Sequence, residues 1–227
     1  MHIIVYEKGD IMKYKAVLFD LDGTLLDTLE DLSDSVNAVL TASGFPSHNT
    51  KAYKYFVGNG LRNLIIKALP ENHRDDSTIE SCLTAMRLEY GKRWADKTKP
   101  YQGVPQLLNG LAENNIKMAI LSNKADEFTQ LIVKKLLPGW KFDAVFGEGP
   151  ATPKKPDPAG ALKISELLGI PADEFLYLGD TNVDMRTAVL AGMYPVGALW
   201  GFRESGELVE GGARVLIPKP EALLDLL

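Results

Sequence analysis

The chain has 227 residues, of which 45% are hydrophobic and 24% are charged; this is typical of a globular protein and excludes a chain too short to bury a core. Its 30 acidic and 25 basic residues give a formal charge of −5 without any basic run, which makes nucleic acid a poor candidate partner. No uncharged stretch reaches the ~20 apolar residues of a membrane-spanning helix, and the N-terminus lacks a signal-peptide pattern, so we predict a cytoplasmic protein.

In chain order, residues 1–11 precede a second methionine, Met12, and are either an extra edge strand or an artefact of start-site choice. Short apolar runs of strand length follow at residues 16–19, 118–121, 144–146, 175–178, 196–199 and 215–217. Segments of helical periodicity separate most of them, including one after Pro105 that ends at Asn114-Asn115 and one that stops at Gly169. This alternation predicts an α/β fold with a Rossmann-like, three-layer parallel-sheet core, whose ligands lie beyond the carboxyl ends of the strands.

The alternation fails between Asp27 and Pro100, where only helical patterns occur. One of them starts at Asp27-Thr28-Leu29-Glu30, which predicts an acidic N-cap with a glutamate three residues later. We therefore predict that residues 27–100 form a helical domain inserted into a core of residues 1–26 and 101–227. The single cysteine, Cys82, falls in an apolar helical series of this insert and is predicted to be buried rather than to bind a metal.

Two aspartates, Asp20 and Asp22, directly follow the first strand in the sequence Asp20-Leu21-Asp22-Gly23-Thr24. Gly23 allows a sharp turn, which can bring the second carboxyl group back beside the first. The same pattern is common in ordinary turns. By itself, the motif fits a structural role equally well.

A second pair of carboxylates, Asp180 and Asp184, follows the strand at residues 175–178. Their spacing of four at a predicted helix start would place both on one helix face, near the positive end of the helix dipole. Helix capping by Asp180 or Thr181 is the structural alternative, and it explains one aspartate better than two.

Four carboxylates that converge at strand ends require a cation, because Lys155 is the only nearby candidate counter-charge. Hard oxygen ligands and an open site favour Mg²⁺. Ser122 and Asn123 end another predicted strand and offer a hydroxyl and amide donors, whereas Lys155 could also be an ordinary surface lysine. A metal, a hydroxyl and an ammonium around an aspartate suit phosphoryl transfer, with Asp20 as the nucleophile and Asp22 as the general acid and base.

These motifs resemble those of the haloacid dehalogenase superfamily, and within it the phosphoglycolate phosphatase-like branch that carries a helical cap after the first motif. The resemblance covers residues 14–203. It rests on four motifs in order, which are Asp20-Leu21-Asp22-Gly23-Thr24, Ser122, Lys155-Pro156, and Gly179-Asp180 with Asp184. Further matches to that branch lie at residues 24–28, 57–60, 103–104, 155–158 and 200–202.

The resemblance implies a role for each of these residues. Asp20, the backbone carbonyl of Asp22, and Asp180 would hold Mg²⁺, and Asp184 would bind it through water or orient the other ligands. The residues implied to bind the substrate are Gly23, Thr24, Ser122, Asn123 and Lys155 in the core, and Gly58, Asn59, Gly60 and Arg62 in the cap. A helix boundary at residues 58–60 and a solvated arginine at position 62 are equally acceptable alternatives.

The implied activity is that of a Mg²⁺-dependent phosphatase, which hydrolyses a small phosphorylated metabolite through an aspartyl-phosphate intermediate. Phosphoglycolate is the first candidate substrate. Asp22 distinguishes the chain from dehalogenases and phosphonate-cleaving relatives, and Leu32 stands where sugar phosphomutases carry a cap histidine. The alternatives are a pyrophosphatase, a nucleotidase, a sugar-phosphate phosphatase or phosphomutase of the same superfamily, and a catalytically idle binding or regulatory member. Both a monomer and a homodimer are compatible with the sequence.

Overall fold

The computed structural model describes residues 14–227, so the two interpretations of residues 1–11 lie outside the described residues. The strands are β1 (Ala16–Phe19), β2 (Leu26–Asp27), β3 (Lys99–Pro100), β4 (Lys117–Ala125), β5 (Ala144–Glu148), β6 (Phe175–Gly179), β7 (Tyr194–Ala198) and β8 (Val215–Ile217). The α-helices are α1 (Leu29–Ala42), α2 (Thr50–Phe56), α3 (Gly60–Ala68), α4 (Asp76–Arg93), α5 (Val104–Glu113), α6 (Asp126–Leu136), α7 (Ala159–Leu168), α8 (Asn182–Ala191) and α9 (Ser205–Gly211).

Among the described residues, six strands form one sheet in the order β5-β4-β1-β6-β7-β8, and every neighbouring pair is parallel. The central strand β1 is fully buried. Val17 and Phe19 pack in the apolar cluster on one face of the sheet, and Ala16 and Leu18 pack in the cluster on the other. Since successive strand side chains point to opposite faces, the apolar run of β1 reflects burial on both sides. The predicted α/β fold with a covered parallel sheet is confirmed.

Helices α1–α4, which we call the helical insert, lie between β2 and β3. They surround an apolar cluster of their own, whose fully buried members include Val36, Tyr53, Ile65 and Met86. Phe202, which follows β7, packs against this cluster and so links the insert to the sheet. The sequence analysis did not predict α2.

The short strands β2 and β3 pair where the chain enters and leaves the helical insert, with Leu26 opposite Pro100 and Asp27 opposite Lys99. Strands of two residues carry no periodic signal, so the sequence indicated only helices in this region. Because Asp27 belongs to β2, the predicted acidic N-cap of α1 is wrong. Thr28 occupies the N-cap position and makes no side-chain capping hydrogen bond.

Two predicted helix ends and the burial of the cysteine are confirmed. α5 ends at Glu113 and is followed by Asn115 with φ of 57°, and α7 ends at Leu168 before Gly169 with φ of 65°. Glycine and asparagine tolerate this left-handed conformation best. Cys82 is buried in the cluster of the helical insert. Within residues 14–227, none of the helices has the length and apolar character needed to cross a membrane.

Candidate active site

Three neighbouring strands carry polar side chains at their carboxyl ends. Asp20 directly follows β1, Asp180 directly follows β6, and Ser122 lies in β4, in the stretch where its register with β5 shifts. All three residues are buried. The carboxyl ends of parallel strands meet at one edge of the sheet, so residues from distant parts of the chain converge there. β4 continues to Ala125, beyond the predicted strand end at residue 121.

Asp20, Asp180 and Asp184, which we call the acidic cluster, bring carboxylate oxygens within 4.8 Å of one another. Burial raises the pKa of Asp20 well above its usual value, and the other two carboxylates add to this effect, while Lys155 opposes it. Burial, together with the charge of Asp184, also raises the pKa of Asp180 to about 7. Burial and mutual repulsion therefore disfavour ionisation of these carboxylates, and a bound cation would stabilise their ionised forms.

Lys155 supplies a positive charge to the acidic cluster and is itself buried. Its Nζ lies 2.6 Å from Asp20 Oδ1 and 2.6 Å from Asp184 Oδ1. Burial disfavours the ammonium, but these two carboxylates outweigh it and hold the pKa of Lys155 well above its usual value. Asn123 fixes the backbone of the lysine, since its Oδ1 accepts from the Lys155 N–H at 2.7 Å and its Nδ2 donates to the Lys155 carbonyl at 3.1 Å. The alternative of an ordinary surface lysine is thereby excluded.

Asp180 and Asp184 do not share a helix face, so that expectation is wrong. α8 begins at Asn182, which leaves Asp180 before the helix, with Thr181 as the N-cap and Asp184 as the third helical residue. Thr181 and Asp184 form a capping box, in which the Thr181 N–H donates to Asp184 Oδ2 at 3.0 Å and the Asp184 N–H donates to the Thr181 hydroxyl at 3.4 Å. The helix start thus orients Asp184, while other contacts hold Asp180.

Two loops hold the Asp180 carboxylate. The Thr24 hydroxyl donates to Asp180 Oδ1 at 3.0 Å, and the Phe202 N–H donates to Asp180 Oδ2 at 2.7 Å. Gly23 has φ of 96°, and a Cβ atom at this position would collide with Asp180 Oδ2 and lie 2.8 Å from the Phe202 ring. A side chain is therefore excluded at position 23 both by backbone conformation and by space. The structure places Gly23 and Thr24, two of the implied substrate-binding residues, beside Asp180.

The Asp22 carboxylate lies apart from the acidic cluster. It forms an ion pair with Lys124, whose Nζ is 3.0 Å from Asp22 Oδ1. The sequence analysis expected four converging carboxylates with Lys155 as the only counter-charge, and this expectation is wrong. Of these four, only the three carboxylates of the acidic cluster converge, whereas the Asp22 carboxylate pairs with Lys124. The sequence analysis missed Lys124. Its position two residues after Ser122, on the same strand face, is the signal that could have revealed it.

A cavity of 320 Å³ lies between this edge of the sheet and the helical insert. The predicted site residues that line it are Asp20, Asp22, Gly58, Gly60, Arg62, Ser122, Asn123, Lys155 and Asp184. The sequence analysis missed several polar residues of its wall, namely Arg87, Tyr90, Lys124, Glu148 and Lys154. Apolar side chains complete the wall, mostly from the helical insert, and include Leu32, Leu61, Leu64, Leu83 and Phe128.

The loop after α2 is held by side chains from outside the helical insert, which donate to its backbone carbonyls. Asn123 Nδ2 donates to the Gly58 carbonyl at 3.1 Å, and Arg203 Nη2 donates to the Val57 carbonyl at 2.8 Å. Arg203 also donates to the Lys54 carbonyl. Asn123 thus contacts both this loop and the backbone of Lys155, and it holds Gly58 at the cavity. Asn59, the next implied substrate residue, is the N-cap of α3 and makes no side-chain capping hydrogen bond.

Arg62 reaches the cavity wall, but its guanidinium is engaged by two carboxylates of α4. Nη2 lies 2.8 Å from Asp76 Oδ1, and Nη1 contacts the Glu80 carboxylate. These ion pairs connect α3 with α4 and leave Arg62 partly exposed. Arg87, another residue of the cavity wall, has no hydrogen bond or ion pair within residues 14–227. Arg87 is therefore the more available guanidinium for an anionic ligand.

The acidic cluster fits a divalent cation. Its donors are carboxylate oxygens, which Mg²⁺ prefers over nitrogen or sulfur ligands. Within residues 14–227, the three carboxylates exceed the single ammonium that contacts them, that of Lys155, so their arrangement leaves negative charge to be neutralised. The backbone carbonyl of Asp22, in the same loop as Asp20, is the further ligand that the resemblance implies.

Known proteins are similar to this chain in sequence and in fold. A family model of haloacid dehalogenase-like hydrolases matches residues 17–198. A phosphoglycolate phosphatase from Pseudomonas savastanoi pv. phaseolicola is 32% identical over 207 residues, which cover 89% of this chain and 76% of the relative. A phosphoglycolate phosphatase from Aquifex aeolicus is 32% identical over 188 residues, which cover 83% of this chain and 86% of the relative. The crystal structure of a protein from Lactobacillus delbrueckii subsp. bulgaricus superposes on this structure with a TM-score of 0.88, at 30% sequence identity. The match covers 94% of this chain and 98% of the chain of that protein.

The chain belongs to the haloacid dehalogenase-like hydrolase family, since the family model spans most of its length. The order of the motifs along the sheet edge agrees with this assignment. Within the family, the protein is a phosphatase, the class of enzyme to which its curated relatives belong.

Proposed function

We propose that this protein is a Mg²⁺-dependent phosphatase that hydrolyses a small phosphorylated metabolite through an aspartyl-phosphate on Asp20, with phosphoglycolate as the first candidate substrate. The position of Asp20 carries this proposal. Asp20 lines the cavity, lies 2.6 Å from Lys155 Nζ and shares the acidic cluster. A nucleophile, an ammonium and a cation-binding cluster at one point are what phosphoryl transfer requires.

The residues of the cavity suit the two steps of this reaction. In the first step, a carboxylate oxygen of Asp20 attacks the phosphorus, the ester P–O bond breaks, and Asp22, which enters this step in its protonated form, gives its proton to the leaving oxygen and becomes a carboxylate. In the second step, Asp22 accepts a proton from the water that attacks the aspartyl-phosphate, which releases inorganic phosphate and restores Asp20. The Ser122 hydroxyl and the Lys155 ammonium bind phosphoryl oxygens in both steps. Mg²⁺ held by the acidic cluster and the Asp22 carbonyl would neutralise phosphate charge when bound.

The names of the relatives and the position of the cavity next to the helical insert support a small substrate. Both curated relatives are phosphoglycolate phosphatases. The cavity lies between the sheet edge and the helical insert, and an insert that closes over the site would exclude phosphate groups on folded proteins. Pyrophosphate, nucleoside monophosphates and sugar phosphates would use the same chemistry and are the alternative substrates. Because Asp20, Asp22 and Lys155 are all present, a catalytically idle member is disfavoured.

We also propose that the helical insert acts as the cap, with domain boundaries at residues 27 and 100, and that the protein is cytoplasmic. The separate apolar cluster of the insert supports this division of the chain.

A panel of phosphate esters tests the proposed function. We expect purified protein to release phosphate from phosphoglycolate and from p-nitrophenyl phosphate with Mg²⁺, but not with EDTA, and to show the highest kcat/KM for phosphoglycolate. The other members of the panel are pyrophosphate, nucleoside monophosphates and sugar phosphates. Hydrolysis of none of them contradicts the phosphatase assignment, whereas a higher kcat/KM for another ester contradicts only the choice of substrate.

Alanine variants of Arg87 and Arg62 test recognition of the substrate carboxylate. Arg87→Ala is expected to raise KM for phosphoglycolate about tenfold, because a guanidinium that binds a carboxylate contributes on the order of 1.5–3 kcal/mol. KM for p-nitrophenyl phosphate, which has no carboxylate, should change little. The measurement is steady-state kinetics with both esters.

Arg62→Ala is the matched comparison, because Arg62 lines the same cavity but is paired with Asp76 and Glu80. We expect it to change KM for phosphoglycolate less than Arg87→Ala does. The opposite order would make Arg62, rather than Arg87, the residue that binds the substrate carboxylate. If either substitution raises KM equally for both esters, that arginine contributes to closure of the helical insert over the cavity and not to binding of the carboxylate.

A further inference from the structure

Lys124 is a buried cation between the sheet and the helical insert. Only 7% of its side chain is exposed. Its Nζ lies 3.0 Å from Asp22 Oδ1 and donates to the Tyr90 hydroxyl at 3.0 Å. A buried ammonium is stable only when charged or polar groups pair with it. The ion pair therefore restricts the orientation of both Asp22 and Lys124.

Tyr90 approaches Lys124 from the helical insert. It lies in α4 and is 4% exposed. The Lys124 ammonium also lies 4.8 Å from the centre of its ring. The ring packs edge-on against Phe128 of α6, with centroids 5.2 Å apart. Tyr90 is thus held between insert and sheet, and it presents both its hydroxyl and its ring to one ammonium.

We propose that Lys124 and Tyr90 are positioning residues for Asp22. The contacts run from Tyr90 to Lys124 and from Lys124 to Asp22, so the helical insert reaches the proton-transferring carboxylate through two side chains. This inference rests on the proposed function, in which Asp22 protonates the leaving oxygen.

The physical reason lies in the geometry of proton transfer. An acid must lie within hydrogen-bond distance of the oxygen that it protonates, so a carboxylate with free rotation spends less time in the productive orientation. Lys124 restricts that rotation. The hydroxyl of Tyr90 restricts Lys124 in turn and occupies a place that water would otherwise take. If the insert moved away from the sheet, Lys124 would lose this partner, and Asp22 would be held less firmly.

Tyr90→Phe tests this inference, since it removes the hydroxyl and keeps the ring. During the first turnover, Asp20 bonds to phosphorus while the ester bond breaks, and the leaving oxygen takes the proton of Asp22. Phenolate needs this proton more than p-nitrophenolate does. We therefore expect the first-turnover rate, measured by rapid quench, to fall about tenfold for phenyl phosphate and less than about twofold for p-nitrophenyl phosphate.

Tyr53→Phe is the matched control. The Tyr53 hydroxyl donates to Asn37 Oδ1 at 2.7 Å, so this variant also removes a hydroxyl from a buried tyrosine of the helical insert. Tyr53 does not line the cavity. Tyr53→Phe should therefore leave the ratio of the first-turnover rates for phenyl phosphate and p-nitrophenyl phosphate unchanged. Lys124→Gln provides a second variant, which keeps a hydrogen-bond donor but loses the charge, and it should change the ratio in the same direction as Tyr90→Phe.

An unchanged ratio in both Tyr90→Phe and Lys124→Gln, with the unsubstituted enzyme active on both esters, overturns the inference and leaves the proposed function standing. Equal losses with both esters also overturn it, because a defect in folding or closure affects both leaving groups alike. If the unsubstituted enzyme hydrolyses neither ester with Mg²⁺, the proposed function itself fails.

Discussion

Asp20→Asn is expected to lower kcat by on the order of a thousandfold or more, since an amide does not replace the carboxylate as a nucleophile. The fold should survive, because asparagine has the same shape and the substitution removes one charge from a buried group of three carboxylates. Steady-state hydrolysis of phosphoglycolate and of p-nitrophenyl phosphate measures the loss. Acid quenching with ³²P-labelled substrate should trap phosphoenzyme in the unsubstituted protein and none in the variant.

Asp225→Asn is the matched control, since Asp225 is exposed and near the C-terminus. It should retain the activity of the unsubstituted enzyme. A rate for Asp20→Asn above about a tenth of the original would rule out a covalent mechanism on this residue.

Asp180→Asn should show two opposite effects of the acidic cluster on stability. Repulsion between its buried carboxylates destabilises the folded protein without metal, and cation binding by the same carboxylates stabilises it. A carboxylate whose pKa is higher in the folded state than in the unfolded state destabilises the folded protein once it is ionised. Burial and Asp184 raise the pKa of Asp180 to about 7, against about 3.9 in an unfolded chain, so this cost grows as the pH rises from about 4 to above 7. At pH 8 without metal, we expect the variant to have a higher Tm than the unsubstituted protein.

Addition of Mg²⁺ should reverse that order. Saturation at about 100 times Kd contributes about 2.7 kcal/mol, and each kcal/mol raises Tm by about 2–4 °C in a protein of this size, so the unsubstituted protein should gain about 5–10 °C. Asp180→Asn should gain far less, because it lacks one ligand. Calorimetry at pH 8 and pH 5, with Mg²⁺ and with EDTA, gives both comparisons. A full Mg²⁺ response in the variant would exclude Asp180 as a ligand.

The amide at position 180 can keep both local contacts. Its oxygen can accept from the Phe202 N–H and its NH₂ group can donate to the Thr24 hydroxyl, which are the present partners of Asp180. Asp225→Asn is again the control, since it removes an exposed charge and should alter neither the Tm without metal nor the response to Mg²⁺.

The sequence by itself determined the parallel sheet and the places where its chemistry emerges. Strands buried on both faces must be apolar throughout, and residues 16–19 and 175–178 show this locally. Asp20 and Asp180 follow these strands immediately, so the topology alone brings them to the same edge of the sheet. Helix ends such as Gly169 were also predictable, because the left-handed conformation selects a few residue types.

Only the tertiary structure decided which charges pair. Lys124 meets Tyr90, which lies 34 residues earlier in the chain, and Arg62 is paired with carboxylates of another helix. No periodicity encodes such contacts, because they depend on how the helical insert packs against the sheet. The same is true of β2 and β3, which contain two residues each. They form strands only because the chain enters and leaves the helical insert at neighbouring points, where the two segments pair. Local pattern thus specifies elements and their ends, whereas pairing between distant side chains arises from packing.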